Sequence, residues 1–174
     1  MQRAVPHERI GWAYGRAVRM KVSLAMGEPE RALQLGERTL AEMMPGDRDF
    51  PVLYFEVERQ MAIAEIDLDR FDAARARLTE LLAFHAQRDN PLHLGLLHEA
   101  LARIALATSD AAAFDRHLDQ VRRHFVGTRS PRLFQRAERL AVERRAFGPL
   151  SLPEAESGTE AETVLQVTAP LRAK

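Results

Sequence analysis

The chain has no cysteine, so disulfides, thiolate metal sites and thiol nucleophiles are excluded, and the composition suits a reducing cytoplasm. It has no charge of one sign to spare: 25 basic residues balance 25 acidic ones, and no overall field draws the chain to nucleic acid or an anionic membrane. No window approaches the roughly 20 consecutive apolar residues of a membrane span, and the opening MQRAVPHERIGW lacks the apolar core of a secretory signal. Catalytic signatures are missing too. There is no glycine-rich phosphate loop, no H-E-x-x-H and no G-x-S-x-G. The expectation is a cytoplasmic, non-catalytic protein without cofactor or metal. Lysine is almost absent, at Lys21 and Lys174 only, and the Arg- and Ala-rich usage points to a GC-rich, bacterial coding bias.

What is present is a pattern written three times. The stretches 20–43, 62–85 and 102–125 align without gaps at offsets of 42 and 40 residues. They share an apolar residue at the fifth place (Leu24, Ile66, Leu106) and a breaker or cap at the eighth (Gly27, Asp69, Ser109). A small or apolar residue recurs at the thirteenth (Ala32, Ala74, Phe114). Such a period signals helix–turn–helix units that bury their apolar stripes only by stacking on neighbours.

Helix signals cover most of residues 8–147. The spacing predicts a first helix over about His7–Met26, ended by Gly27, and a second that stops before Pro45-Gly46. A third spans about Val52–Leu68, and Asp69 is the expected N-cap of a fourth with Phe71, Ala74, Leu78, Leu81 and Leu82 inward. Asn90-Pro91 opens a fifth, with Leu94, Leu97, Leu101, Ile104 and Ala105 on one face, and Ser109 or Asp110 caps a sixth. Ser130-Pro131 opens a seventh, carrying Leu133, Phe134, Ala137, Leu140 and Ala141, which Gly148-Pro149 stops. No sustained two-residue alternation marks a strand. The fold class is all-α, with a flexible N-terminus over 1–7, a helical domain over 8–148 and an acidic, disordered tail or linker over 149–174.

The segment MAIAEIDLDRFDAARARL, with Leu68, Phe71 and Ala74 around the turn, resembles tetratricopeptide (TPR) repeats. In that family small residues from the paired helices meet; Ala62 with Ala74, and Ala102 with Phe114 or Ala113, correspond. The first unit departs from it, with Met20 and Gly36 where a small residue and an aromatic are usual, and the period exceeds the family's roughly 34 residues. The resemblance implies a right-handed solenoid of about three units plus a C-terminal capping helix. More narrowly, NPLHLGLLHEALARIALATSDAAAF is similar to repeat regions of large multidomain bacterial signalling proteins.

By that resemblance the first helix of each unit lines a concave groove, which places Tyr14, Lys21, Glu56, Arg59, Ile63, Asp67, Glu99 and Arg103 toward a bound peptide or helix. The implied function is a protein-interaction scaffold in signalling or assembly. A regulatory region controlling a linked or separate kinase, ATPase or transcriptional domain is the alternative. A second feature is the Arg-rich stretch 116–145, with Arg129, Arg132, Arg136 and Arg139 as a basic patch. It reads as a solvated face, as a dock for an acidic partner or the chain's own acidic tail, or as a nucleic-acid contact, which the scarce aromatics and neutral balance disfavour. An exposed end helix offers a route to self-association.

Two groups of side chains read as ordinary structure. Glu58, Arg59 and Glu65 read as a solvated face of the third helix. His93 and His98, five apart, and His117 and His124, seven apart, do not have the spacing of a shared metal ligand set on one helix. His85 falls at a helix C-terminus, where the helix dipole favours a cation.

Overall fold

The computed structural model describes residues 6–44, 51–88 and 90–146, so the expectations for the tail over 149–174 and for residues 1–5 lie outside the described residues. Seven α-helices and no strand occur among them. They are α1 (Pro6–Ala25), α2 (Pro29–Ala41), α3 (Pro51–Asp67), α4 (Phe71–Ala86), α5 (Pro91–Ala107), α6 (Ala111–Gly127) and α7 (Pro131–Ala146). None is long and apolar enough to cross a membrane.

Proline opens five of the seven, at a position where its missing N–H removes no helical bond. Pro51, Pro91 and Pro131 begin α3, α5 and α7 at a spacing of 40 residues. Side-chain caps support two starts: Asn90 accepts from the His93 N–H at 3.1 Å, and Asp110 from the Ala113 N–H at 2.9 Å.

The eighth place of the repeat has a different job from the one its residue types suggest. Gly27, Asp69 and Ser109 all adopt left-handed backbone, with φ of +74°, +58° and +58°. In each turn the amide after that residue donates back across the helix end: Glu28 to the Ser23 carbonyl (2.9 Å), Arg70 to Glu65 (2.8 Å) and Asp110 to Ala105 (2.8 Å). This is a Schellman closure made three times, and it satisfies helix-end carbonyls that have no helical donor. Asp69 therefore terminates α3 instead of capping α4. The residue at the N-cap of α4 is Arg70, which makes no side-chain capping bond. Of the two candidates for α6, Asp110 is the cap and Ser109 the left-handed residue.

Each even-numbered helix packs between its two sequence neighbours, and α2, α4 and α6 do not touch one another. The odd-numbered helices do touch in series, α1 on α3, α3 on α5 and α5 on α7. Ala62 and Ala74 are fully buried in one cluster, as are Ala102 and Phe114. Small residues let two of these helices approach closely. Gly36 faces the flexible side chains of Met61 and Met20, whereas Gly95 lies under the Phe125 ring, and a Cβ there would come within 2.3 Å of it.

α3 is flanked by α1, α2, α4 and α5, so few of its faces reach water. Glu58, Arg59 and Glu65 are consequently buried, which corrects their reading as a solvated face. Arg77 of α4 compensates the two carboxylates. It bonds Glu65 through Nε (3.0 Å) and Nη2 (2.8 Å), and its Nη1 donates to Glu58. Burial disfavours the Arg77 cation, but its bonds to Glu65 and Glu58 outweigh that and raise its pKa further. In α7, Ala137 and Leu140 are buried as expected, while Phe134 remains half exposed because no helix among the described residues covers its side of α7.

Candidate partner-binding surface

The odd helices carry a linked set of charges. On α1 and α3, Lys21 Nζ lies 3.2 Å from Glu56 Oε2, which also accepts from Arg59 Nη2 and Gln60 Nε2 at 3.2 Å. Burial alone would raise the Glu56 pKa; Arg59 and Lys21 override it, and the carboxylate is held below its ordinary value. On α5 and α7, Arg103 reaches Glu99 (3.6 Å) and Glu143 (3.3 Å), and Arg136 Nε sits 2.5 Å from the other Glu99 oxygen. Neither Glu99 oxygen meets hydrogen-bond geometry, so these contacts are ion pairs without directed bonds. Asp67 of α3 feels Arg103 of α5 electrostatically without forming an ion pair with it. Burial pushes its carboxyl up against the opposing pull of Arg103.

The eight residues assigned to the groove therefore do different things. Tyr14, Lys21, Asp67 and Arg103 are exposed, and Glu56 and Ile63 are half buried. Arg59 and Glu99 are buried, Arg59 paired with Glu56 and Glu99 lying behind the exposed Arg103 and Arg136. Three contributors are newly placed by the fold: Gln60 and Glu143, and Arg136, which the sequence had assigned only to the basic patch. No short-range spacing marks Glu143 and Arg136, because their partners lie on α5, whereas Gln60 stands four residues from Glu56 on the same helix.

The basic patch is partly neutralised. Arg136 pairs with Glu99, Arg122 with Glu138 (3.1 Å) and Arg144 with Asp115 (3.0 Å). Arg129, Arg132 and Arg139 are exposed and form no ion pair among the described residues. A cation with no fixed partner is available to an acidic one.

Five of the six histidines form two clusters. His93 stacks on Phe55 at 3.7 Å between centroids, and its Nδ1 lies 3.4 Å from that of His85. On α5 and α6, the Nδ1 atoms of His98 and His117 are 3.1 Å apart, and His124 stacks on His98. Desolvation, with the neighbouring His93 and Arg88 charges, lowers His85 to about 4. Desolvation with His117 and His124 does the same to His98. His85 is thus neutral, and burial defeats the helix-dipole preference for a cation. No group of three or more His, Asp or Glu among the described residues has the geometry to hold a metal ion.

Searches against models of known protein families, against curated proteins and against solved structures gave no match.

Proposed function

We propose that this chain is a non-catalytic interaction scaffold, built as a right-handed stack of three TPR-like helix–turn–helix units closed by α7. Its partner is a peptide or helix seated along the odd-numbered helices. One observation carries this reading: ion pairs join α1 to α3 through Lys21 and Glu56, and α5 to α7 through Glu99, Arg103, Arg136 and Glu143, with the half-buried Glu56 and the buried Glu99 behind the exposed Lys21 and Arg103. Buried carboxylates are retained at a desolvation cost unless their cationic partners are fixed. Here Glu56 and Glu99 anchor cations at set positions on a surface that also presents Tyr14 and Ile63. Mixed charge and apolar area of this kind suits an amphipathic segment better than a phosphate backbone.

The test compares the native chain with a Lys21→Glu, Arg103→Glu variant as immobilised baits, with bound proteins quantified by mass spectrometry and then titrated individually. A partner retained by the native chain should lose at least about tenfold in affinity for the variant, as expected for charges that orient a ligand. Identical capture by the two baits would remove the odd-helix surface as the binding face.

A further inference from the structure

The 40-residue register shows what α7 lacks. In α5 the face that receives α6 contains Gly95, over which the Phe125 ring lies, and His98, which meets His117 and His124. Ala102, one turn further on, is fully buried on the same side. Because α5 begins at Pro91 and α7 at Pro131, the matching positions of α7 are Gln135, Glu138 and Val142. These three line a shallow groove of about 540 Å3 together with Phe134, Arg139 and Glu143. Phe134 is 48% exposed and Val142 59%. The helix that would cover this face in a complete unit is not among the described elements.

The occupant follows from the order of side chains along that face. An apolar residue stands at each end (Phe134, Val142), and an acid and a base stand together at the centre (Glu138, Arg139). A second α7 laid antiparallel about a two-fold axis near Glu138 places Phe134 of each copy opposite Val142 of the other. It also brings each Glu138 to the other copy's Arg139, a cation with no ion pair among the described residues of its own chain. Self-complementarity of this sort is what a two-fold interface requires. Arg122, 3.1 Å from Glu138, offsets the approach of the two central carboxylates. The groove at the other end of the molecule, between α1 and α2, fails the same test. Its apolar Val22 and Met26 are ringed by Arg19, Arg31 and Arg38, of which Glu28 pairs with Arg31, so the groove carries an excess of one charge and offers no acid–base pair to a second copy.

The geometry points to α7 as a self-association helix: two copies of the chain form an antiparallel α7–α7 dimer, each filling the position that α6 occupies against α5. One helix pair buries less than the ~1,600 Å2 of a standard interface, so the dimer depends on concentration.

Sedimentation equilibrium of the full-length chain over a concentration series tests this. The native chain should dimerise reversibly, and Phe134→Glu should weaken the dimer at least about thirtyfold, as a charge in a desolvated contact does. Glu138→Arg and Arg139→Glu should each weaken it about tenfold, and the two together should restore it to within about threefold, because the swapped charges again meet across the axis. Circular dichroism melts separate loss of association from loss of folding, since all three side chains are exposed. A native chain that stays monomeric at about 0.5 mM, or a dimer indifferent to these changes, overturns the proposal. So does a monomer in which Phe134→Glu speeds proteolytic release of residues 149–174, which would put the chain's own C-terminal segment in the groove.

Discussion

α3 and α7 start at equivalent places in the 40-residue register, yet they solve opposite problems. α3 is enclosed by four other helices and carries Glu58, Arg59 and Glu65 inside. Among the described residues α7 touches only α5 and α6, and it shows Phe134, Val142 and the arginines Arg132 and Arg139, without ion pairs there, outside. The same interval thus yields a helix whose charges are structural and a helix whose apolar groups are exposed. Residue type is a poor guide to role here. The number of neighbours a helix acquires decides whether a carboxylate must be paired and whether a phenyl ring is covered.

Removing one charge from each helix's surroundings gives the widest expected difference. Arg77→Ala strands Glu58 and Glu65, both about 95% buried, without their cation. Breaking a buried ionic group in this way costs about 3–5 kcal/mol, against less than about 0.5 kcal/mol for Arg139→Ala on exposed α7. Urea denaturation of both variants measures the contrast. Equal small losses would mean that the α3–α4 ion group is hydrated and that the enclosure of α3 is incomplete.

A second contrast concerns the histidine clusters at the α5–α6 seam and beside Phe55. The unfolded chain takes up a proton on each histidine near 6.5, whereas folded His85 and His98 hold out to about 4. His93, His117 and His124 are lowered as well, chiefly by desolvation. Between those values the unfolded state binds more protons, so stability present above pH 6.5 is lost as the pH falls toward 4. Each histidine whose folded pKa lies well below the window contributes up to about 1.4 kcal/mol per pH unit. Within each pair the two facing Nδ1 atoms share at most one proton, so protonating both rings forces them apart. A His85→Gln, His98→Gln chain should show a visibly flatter stability-versus-pH curve between pH 6.5 and 4. An unchanged slope would assign the acid sensitivity to carboxylates whose pKa the fold lowers, such as Glu56.

The helical organisation was legible because its signals are local. Pro51, Pro91 and Pro131 mark helix starts wherever they stand, and the small residues Ala62, Ala74 and Ala102 are buried. The proposed interaction surface was only half legible. Lys21 and Arg103 face water, but Arg59 and Glu99 do not, since α3 and α5 are covered on so many sides that the helical alternation of polar and apolar residues loses its meaning. The histidines escaped for a related reason. Spacing along one helix says nothing of His98 meeting His117, 19 residues away on the next helix.

The smallest expected effect lies at the eighth place of the repeat, which the sequence marked as a breaker without showing how it acts. Gly27 takes its left-handed conformation without a side-chain penalty, whereas Ser109 takes φ of +58° with a Cβ that crowds the backbone. Asp69 is a milder case, because a short carboxylate side chain tolerates that region. Ser109→Gly relieves the strain in the folded state but also enlarges the unfolded ensemble, and the two effects oppose one another. The residue lies outside the helices that it joins, so no helical propensity is lost with the substitution. The Ser109 amide still donates to the Leu106 carbonyl, and no side-chain bond of Ser109 has to be broken. The balance favours a gain of about 0.5 kcal/mol, with the Asp69→Gly gain smaller. Thermal melts resolve such a difference when the two variants are compared side by side. A loss at Ser109 would mean that unfolded-state entropy outweighs left-handed strain at the α5–α6 turn, and that the three repeat turns share a geometry but not an energetic optimum.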